Sequence, residues 1–326
     1  VDYLHDPYPP VERDSGLLLF AHYDTEFPNA VDQLFDVTED DTRYYGHGIA
    51  DDKAGIAAIL LSVENVSNNK GSSLPAVVFA QAKHGGCFGM SEAIKSVKGR
   101  YAAIYAHPAE SNAGFAQIKT ASRGIATFTI KFFGLRPPES EENTPASADP
   151  RLGESALALA ALCIQEITSW NDSDVVWLVS DLEVTNRDYQ VPDACSLRVS
   201  AWFTSIRVDE VSQLLSERLK TLVLVHPSLQ QPEVEITGIR ANPAETIDRN
   251  FVATVKSVIS KHTGKDVLEY EWHAASDIRF PLLHLQIPAV GFGCLAGGFY
   301  GGKEWIDKES FVTFVDILME LSQGYL

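Results

Sequence analysis

Three stretches of the chain carry residue types that can ligate metal ions or move protons. His22-x-Asp24 closes the apolar run GLLLFAHYDT (16–25). A histidine directly after a buried strand can bind a metal, and a carboxylate two residues on can orient its ring. Gly46-His47-Gly48-Ile49-Ala50-Asp51-Asp52-Lys53 sets two adjacent acids in a glycine loop at a helix start. Those acids can cap the helix by accepting backbone N–H groups, or Asp51 can bridge metal ions. His84 and His107 each follow an apolar run and each precede a turn residue, Gly85 or Pro108. A lone histidine is more often structural than ligating. Several at successive strand ends are another matter, because those ends converge on one crevice in an open α/β sheet.

The elements that must position these residues follow from periodicity. The runs at 16–25, LPAVVFAQA (74–82) and YAAIYAHP (101–108) read as buried strands. GIADDKAGIAAILLSVENV (48–66) leaves a loop and becomes a helix, and GMSEAIKSV starts another. Strands alternating with helices predict a three-layer α/β domain with a mostly parallel mixed sheet. The character changes near Ser122. GIATFTIKFFG (124–134) alternates and is β-branched, as a half-exposed strand should be, and the acidic, proline-rich stretch 135–151 reads as a loop. A helix over roughly 152–168, strands near 175–184 and 195–203, a helix at 207–222 and a strand at 233–239 complete the ferredoxin-like order. The expected organisation is therefore discontinuous: 1–121 and 241–326 form one domain, and 122–240 form an inserted α+β domain. Helix 247–263, strand 288–293 and helix 307–323 return to the first.

The 326 residues suffice for two domains, and the 45% hydrophobic content suits full cores. A formal charge of −18 argues against nucleic acid as a partner, since a phosphate-binding surface needs Lys and Arg in excess. The four cysteines, Cys87, Cys163, Cys195 and Cys294, have no Cys-x-x-Cys spacing and read as buried thiols in a reducing compartment. No apolar run reaches the length of a membrane span and no signal peptide is visible. The expectation is a cytoplasmic protein with no membrane partner.

With these motifs in place, the sequence resembles the zinc-dependent amidohydrolases and exopeptidases that include aminoacylases, acetylornithine deacetylase, succinyl-diaminopimelate desuccinylase and glutamate carboxypeptidase. LLLFAHYDT is similar to their His-x-Asp strand, and YYGHGIADDKAGIAAIL to their Gly-x-Gly-x-x-Asp-x-Lys-Gly loop and helix. KHGGCFG stands where they carry Glu-Glu-x-Gly-Ser-x-Gly, and AHPAES where they carry Glu-Pro-Thr. VPDACSL resembles their lid-domain Val-Pro-Asp strand, and ASDIRF, which holds Asp277, their Thr-Asp-x-Arg. The resemblance covers nearly the whole chain and lacks only the N-terminal helix and strand that usually precede the His-x-Asp strand. The resemblance implies a catalytic-type domain with an inserted lid, dimers through the lid, and a small-molecule or peptide ligand in a cleft near Tyr300 and Asp277. It also implies five ligands for two zinc ions, which fall here on His22, Asp51, His84, His107 and Tyr300; only the first two match the family pattern. The general base falls on Lys83. The lid histidine, asparagine and arginine fall on Pro138, Tyr189 and Trp202.

Charge decides what such a site can hold. Two divalent cations roughly 3.5 Å apart repel by about 19 kcal/mol at an effective dielectric near 20, and anionic ligands must offset this. The family pattern supplies three carboxylates in the first shell; this chain supplies Asp51 and adds Lys83. Zero or one zinc is therefore expected in place of two. With one, His22, Asp51 and His107 form the ligand set, and His84 or Glu110 can complete it. With none, the Lys83 ammonium takes the metal's place beside Asp51 and Asp24, so that no buried aspartate is stranded. The favoured reading is a divergent member of that family lacking standard two-zinc hydrolysis. Its rivals are a single-metal amidohydrolase or deacetylase, a non-catalytic binding or scaffolding protein, and a new reaction built on Lys83, His84, His107 and Tyr300.

Overall fold

A computed structural model describes residues 11–25, 36–68, 74–81, 88–108, 113–137, 149–184, 190–225, 230–272, 276–299 and 303–324. In chain order the elements are β1 (Val11–His22), β2 (Thr38–Glu39), β3 (Arg43–Tyr45), α1 (Ala54–Ser67), β4 (Ala76–Ala80), α2 (Phe88–Ile94) and β5 (Val97–Ala106). There follow β6 (Gln117–Ser122), β7 (Gly124–Phe133), α3 (Ala156–Ser169), β8 (Val175–Val184), β9 (Ala194–Phe203), α4 (Val208–Val225) and β10 (Glu233–Ala241). The remainder is β11 (Ala244–Glu245), α5 (Arg249–Thr263), β12 (Leu268–Trp272), β13 (Ala289–Phe292), β14 (Ala296–Gly297), β15 (Trp305–Asp307) and α6 (Lys308–Gly324). Two compact units result. One comprises Val1–Ser122, Ala244–Trp272 and Ser276–Leu326; the other comprises Arg123–Pro243 with His273–Ala275.

The larger unit is built on a seven-stranded sheet of order β11-β6-β13-β5-β1-β4, with β12 also on β6. β1 pairs in parallel with β4 and β5, and β13 in parallel with β5. β6 runs antiparallel to β13 and parallel to β12, so the sheet is mixed. Why β1 reads as an unbroken apolar run is visible in its two faces. Leu17, Leu19 and Ala21 pack with α1, α5 and α6, whereas Leu18 and Phe20 pack with α2 and the segment around Ile278 and Phe280. Side chains alternate along a strand, so a sheet covered on both sides needs apolar residues at every position. This is the three-layer α/β arrangement expected from the alternating runs.

The smaller unit has the order β7-α3-β8-β9-α4-β10 and an antiparallel sheet of order β10-β7-β9-β8. One face is apolar: Phe128, Ile130, Phe132, Leu197, Val199 and Phe203 bury against Leu159, Cys163 and Ile167 of α3 and Val211, Leu215 and Leu219 of α4. The other face is half-exposed, which is why β7 and β9 alternate in sequence. Ser155 caps α3 by accepting the Ala158 N–H at 3.3 Å. That cap moves the helix start from the expected 152 to Ala156; Pro150–Leu152 form a short 3-10 turn instead.

Six strands were not legible. β6 (QIKTAS) and β12 (LEYEW) are too polar to read as buried runs. The small antiparallel sheet β14-β15-β3-β2 is built from strands of two or three residues, too short for periodicity to register. Most of the 135–151 loop lies outside the described residues. Cys163, Cys195 and Cys294 are buried free thiols, and burial pushes the Cys163 thiol up to about 12.

Candidate metal centre

The geometry begins with register. β1 and β5 are parallel neighbours with Phe20 opposite Tyr105, and those rings stack with centroids 5.0 Å apart. Two residues further on, the same register sets His22 and His107 side by side at the strand ends, with ring centroids 5.9 Å apart. His22 is the last residue of β1; His107 follows β5 directly, its N–H donating to the carbonyls of Tyr105 and Phe292.

Asp51 comes from the turn Ile49–Lys53, a five-residue π-type segment with non-helical torsions at Asp51 and Asp52. Two glycines let this turn close on the strand ends. Gly48 has φ 70°, and a Cβ there would lie 2.1 Å from Thr25 Cγ2. A Cβ on Gly55 would lie 1.8 Å from the Ala106 carbonyl oxygen, so only glycine lets the start of α1 approach β5 this closely. The acids of the glycine loop therefore do not cap α1, contrary to one reading of the sequence: its N-cap residue is Lys53, and no side chain caps it.

The result is a compact cluster. Asp51 Oδ1 lies 2.7 Å from His22 Nε2 and 2.7 Å from His107 Nε2. Ligand atoms of the three residues fall within 4.8 Å of one another, and all three residues are buried. Each ring turns its outer nitrogen to a backbone carbonyl: His22 Nδ1 to Asp24 O at 3.0 Å, and His107 Nδ1 to Pro108 O at 2.7 Å. Ligating imidazoles commonly donate their outer N–H in this way, which leaves Nε2 free as a ligand. With both outer nitrogens protonated, two nitrogen lone pairs and a carboxylate oxygen converge on one point, a donor set that fits a divalent cation such as zinc. The donor set is two imidazoles and one carboxylate.

Among the other expected site residues, Asp24 is half-buried, with Oδ1 3.6 Å from His22 Nδ1. Its backbone carbonyl is the nearer partner of the ring. Asp277 is fully buried in the turn before Pro281–Leu285, where its carbonyl accepts the Phe280 N–H; it is not one of the three clustered residues. Trp202 lies in β9, half-buried. Lys83, His84, Glu110, Pro138, Tyr189 and Tyr300 lie outside the described residues.

Three more charged residues stand near the cluster, of which only Lys53, in the glycine-loop motif, was named from the sequence. Lys119 of β6 is 2% exposed, and its Nζ lies 2.8 Å from His107 Nδ1 and 3.2 Å from Pro108 O. Glu304 is 5% exposed and accepts the Ala50 N–H at 3.2 Å. Burial holds its carboxyl above the usual range, and the Asp51 charge adds to that. Lys53 donates to the His47 carbonyl at 3.3 Å; burial lowers its pKa, while Glu304, Asp51 and Asp24 push it back up. No single sequence signal marks Lys119. Glu304 lies 254 residues from the backbone it holds.

Comparison with known proteins speaks to family and fold. The profile of peptidase family M20/M25/M40 matches residues 18–323. Among solved structures, a tripeptidase from Staphylococcus aureus superposes with a TM-score of 0.77 at 17% identity, covering 97% of this chain and 82% of that one. Aminopeptidase PepT from Bacillus cereus gives 0.75 at 17% identity, with 97% and 82% covered. A dinuclear metal-binding M20 peptidase from Bacillus subtilis gives 0.65 at 14%, with 98% and 84% covered. A search of curated proteins returned no significant match. At these identities the neighbours speak for the fold, while the profile spans nearly the whole sequence. This chain belongs to peptidase family M20/M25/M40.

Proposed function

We propose that this chain is a divergent M20-type hydrolase scaffold that binds one divalent metal ion, zinc being the expected one, through His22, Asp51 and His107. Beside that ion it takes a small peptide or N-acyl amino acid, without the two-zinc hydrolysis of the family pattern. The observation that carries this reading is the convergence of His22 Nε2, His107 Nε2 and Asp51 Oδ1 within 4.8 Å.

Electrostatics supports one ion over two. One carboxylate in the cluster offsets only part of the repulsion between paired cations, about 19 kcal/mol at roughly 3.5 Å and an effective dielectric near 20. Lys119 and Lys53 add positive charge nearby. Glu304 is engaged with the Ala50 backbone and carries a raised pKa, which weakens it as a substitute anion.

When bound, such an ion supplies Lewis acidity toward a ligand carbonyl or water. The chain's own residues do the rest. Asp24 O and Pro108 O orient the two rings, Asp51 contributes the negative charge, and Glu304 anchors the turn that carries Asp51. Lys83 stands where the family pattern has a carboxylate base, and a lysine is protonated near neutral pH unless strongly perturbed. Loss of a single transition-state group typically costs ~10²–10³ in rate. A single-metal amidohydrolase is the second reading. It is favoured by the three-ligand set, which leaves a fourth position for water as catalytic zinc sites do. Homodimers through the smaller unit remain part of the proposal, by family resemblance.

Metal content of the full chain purified without chelators or added zinc tests the reading. One equivalent per chain, lost in His22→Ala, is expected; two equivalents overturn it. Hydrolysis of a panel of N-acyl amino acids and dipeptides, abolished in His22→Ala, would select the second reading over the first.

A further inference from the structure

We propose that Asp277, with the hydroxyls of Ser276 and Thr246, holds an alkali cation, sodium or potassium, where the three segments of the larger unit meet. The observation is a set of buried oxygens. Asp277 is fully buried, and among the described residues neither of its carboxylate oxygens has a hydrogen-bond partner. Ser276 and Thr246 are buried as well, and among the described residues their hydroxyls are equally unpartnered. Native interiors leave few polar atoms unmatched, and a bare carboxylate is the costliest of them. None of these residues belongs to the His22–Asp51–His107 cluster.

The backbone brings these groups to one place. Ser122 ends the first segment of the larger unit, Ala244 opens the second and Ser276 opens the third. The Ser276 N–H donates to Ser122 Oγ at 2.8 Å, which ties the turn holding Asp277 to the end of β6. Ala244 stands opposite Ser122 in the antiparallel β11–β6 pair, and the Thr246 N–H continues that ladder to the Thr120 carbonyl at 2.9 Å. Opposed residues share a face of a sheet, and so do residues two apart on a strand. Thr246 therefore lies on the Ser122 side of the ladder, where the turn is tied. β11 also packs on Pro281–Leu285, the segment into which that turn leads. Asp277 follows Ser276 directly, and its carbonyl closes the turn by accepting the Phe280 N–H at 3.1 Å.

Donor type and charge select the ligand. All the donors are oxygens, which suit hard cations. Asp277 brings one negative charge and the hydroxyls bring none, so a monovalent ion leaves the group neutral. A divalent ion would leave a buried positive charge beside Arg279, itself buried two residues on. Arg279 does not neutralise Asp277 directly. Among the described residues its Nη1 is unpartnered too, and its guanidinium lies over the Phe280 ring, 4.6 Å from the centroid. Bound there, the ion joins Asp277 and Ser276 of the third segment to Thr246 of the second, and its role is to hold the larger unit together.

The test is thermal unfolding of the metal-free full chain in choline, sodium and potassium chloride at equal ionic strength. A saturable rise of the midpoint by about 2–5 °C is expected in one or both alkali salts, and the salt that saturates at the lower concentration identifies the ion. Identical wild-type midpoints in all three salts overturn the proposal, and that comparison needs no variant to fold. A rise given by calcium or magnesium chloride and by neither alkali salt overturns it as well, because the charge argument then fails. Asp277→Asn keeps the shape and removes the charge, so its midpoint should be the same in the three salts. A rise retained in Asp277→Asn places the ion elsewhere and overturns the proposal. Thr246→Val is the second variant: it should saturate only at higher alkali concentration, and an unchanged saturation curve overturns the three-donor site.

Discussion

The two units of the chain treat buried polarity in opposite ways. Among the described residues, every buried polar or charged side chain belongs to the larger unit: His22, Asp51, Asp52, His107, Lys119, Asp277, Arg279, Glu304 and several hydroxyls. The smaller unit buries an apolar face and keeps its charges at the surface. Burying a charge is costly unless it is paired, so a fold that needed only stability would resemble the smaller unit throughout. The larger unit departs from that at the C-terminal ends of β1 and β5, where ligands bind in open α/β sheets, and again at Asp277 and Arg279 in the turn before Pro281. Concentrated buried charge is thus the mark of a site, and its composition tells which site.

Substitutions can break this contrast from either side. The largest expected effect is in the apolar unit. Phe128→Ala removes a fully buried ring and should lower stability by about 3–5 kcal/mol, read from denaturant unfolding, while zinc affinity of the folded protein stays unchanged. A parallel loss of zinc binding would mean that the units are not separable in this sense. In the larger unit, Asp51→Ala should do the reverse. Zinc affinity should fall by at least ~100-fold, about 2.7 kcal/mol, in a direct titration. An unchanged affinity would remove Asp51 from the ligand set.

A smaller effect concerns the surface charge of the smaller unit. Arg218 grips Asp172 with two hydrogen bonds, Trp177 Nε1 donates to the same carboxylate at 2.8 Å, and the Arg218 guanidinium lies 4.6 Å from the Trp170 ring centroid. Asp172→Asn should cost about 1–2 kcal/mol, as charge-assisted partly buried pairs do. Arg218 holds the Asp172 carboxyl below its ordinary 3.8, and the Trp177 bond adds to this. A depressed carboxyl stabilises the fold above its ordinary pKa, and that contribution is lost as pH falls through the folded value. Wild type and variant should therefore differ at pH 6 and converge in acid. A gap that widens in acid would reverse the sign. The smallest effect is at α5, where Asp248 accepts from the Asn250 and Phe251 N–H groups at 3.0 Å. Its replacement by alanine should cost about 1 kcal/mol, measured by thermal unfolding.

How much of this was readable in advance depended on what kind of contact was involved. His22 and His107 stand out because each ends an apolar run, and that run is itself the signature of a strand covered on both faces. Asp51 stands out through its glycine loop, whose two close approaches only glycine permits. The order of elements in the smaller unit is legible because half-buried strands and amphipathic helices alternate with different periods. Lys119 gives no such signal. It sits in a six-residue strand that reads as polar, and its burial comes from β12 and β13, more than 140 residues further along the chain. Glu304 is equally silent, because a glutamate after two glycines and a lysine reads as an exposed loop.

The sequence by itself determined which residue types stand at the strand ends, since local hydrophobic periodicity specifies where a strand stops and what side chain follows it. It also determined how few carboxylates those ends carry. Only the tertiary structure decided that His22, Asp51 and His107 share one point, and that a lysine from a distant strand stands against the outer nitrogen of His107. Register between parallel strands and the close approach of a loop to a sheet are long-range geometry, and periodicity along the chain carries no record of them.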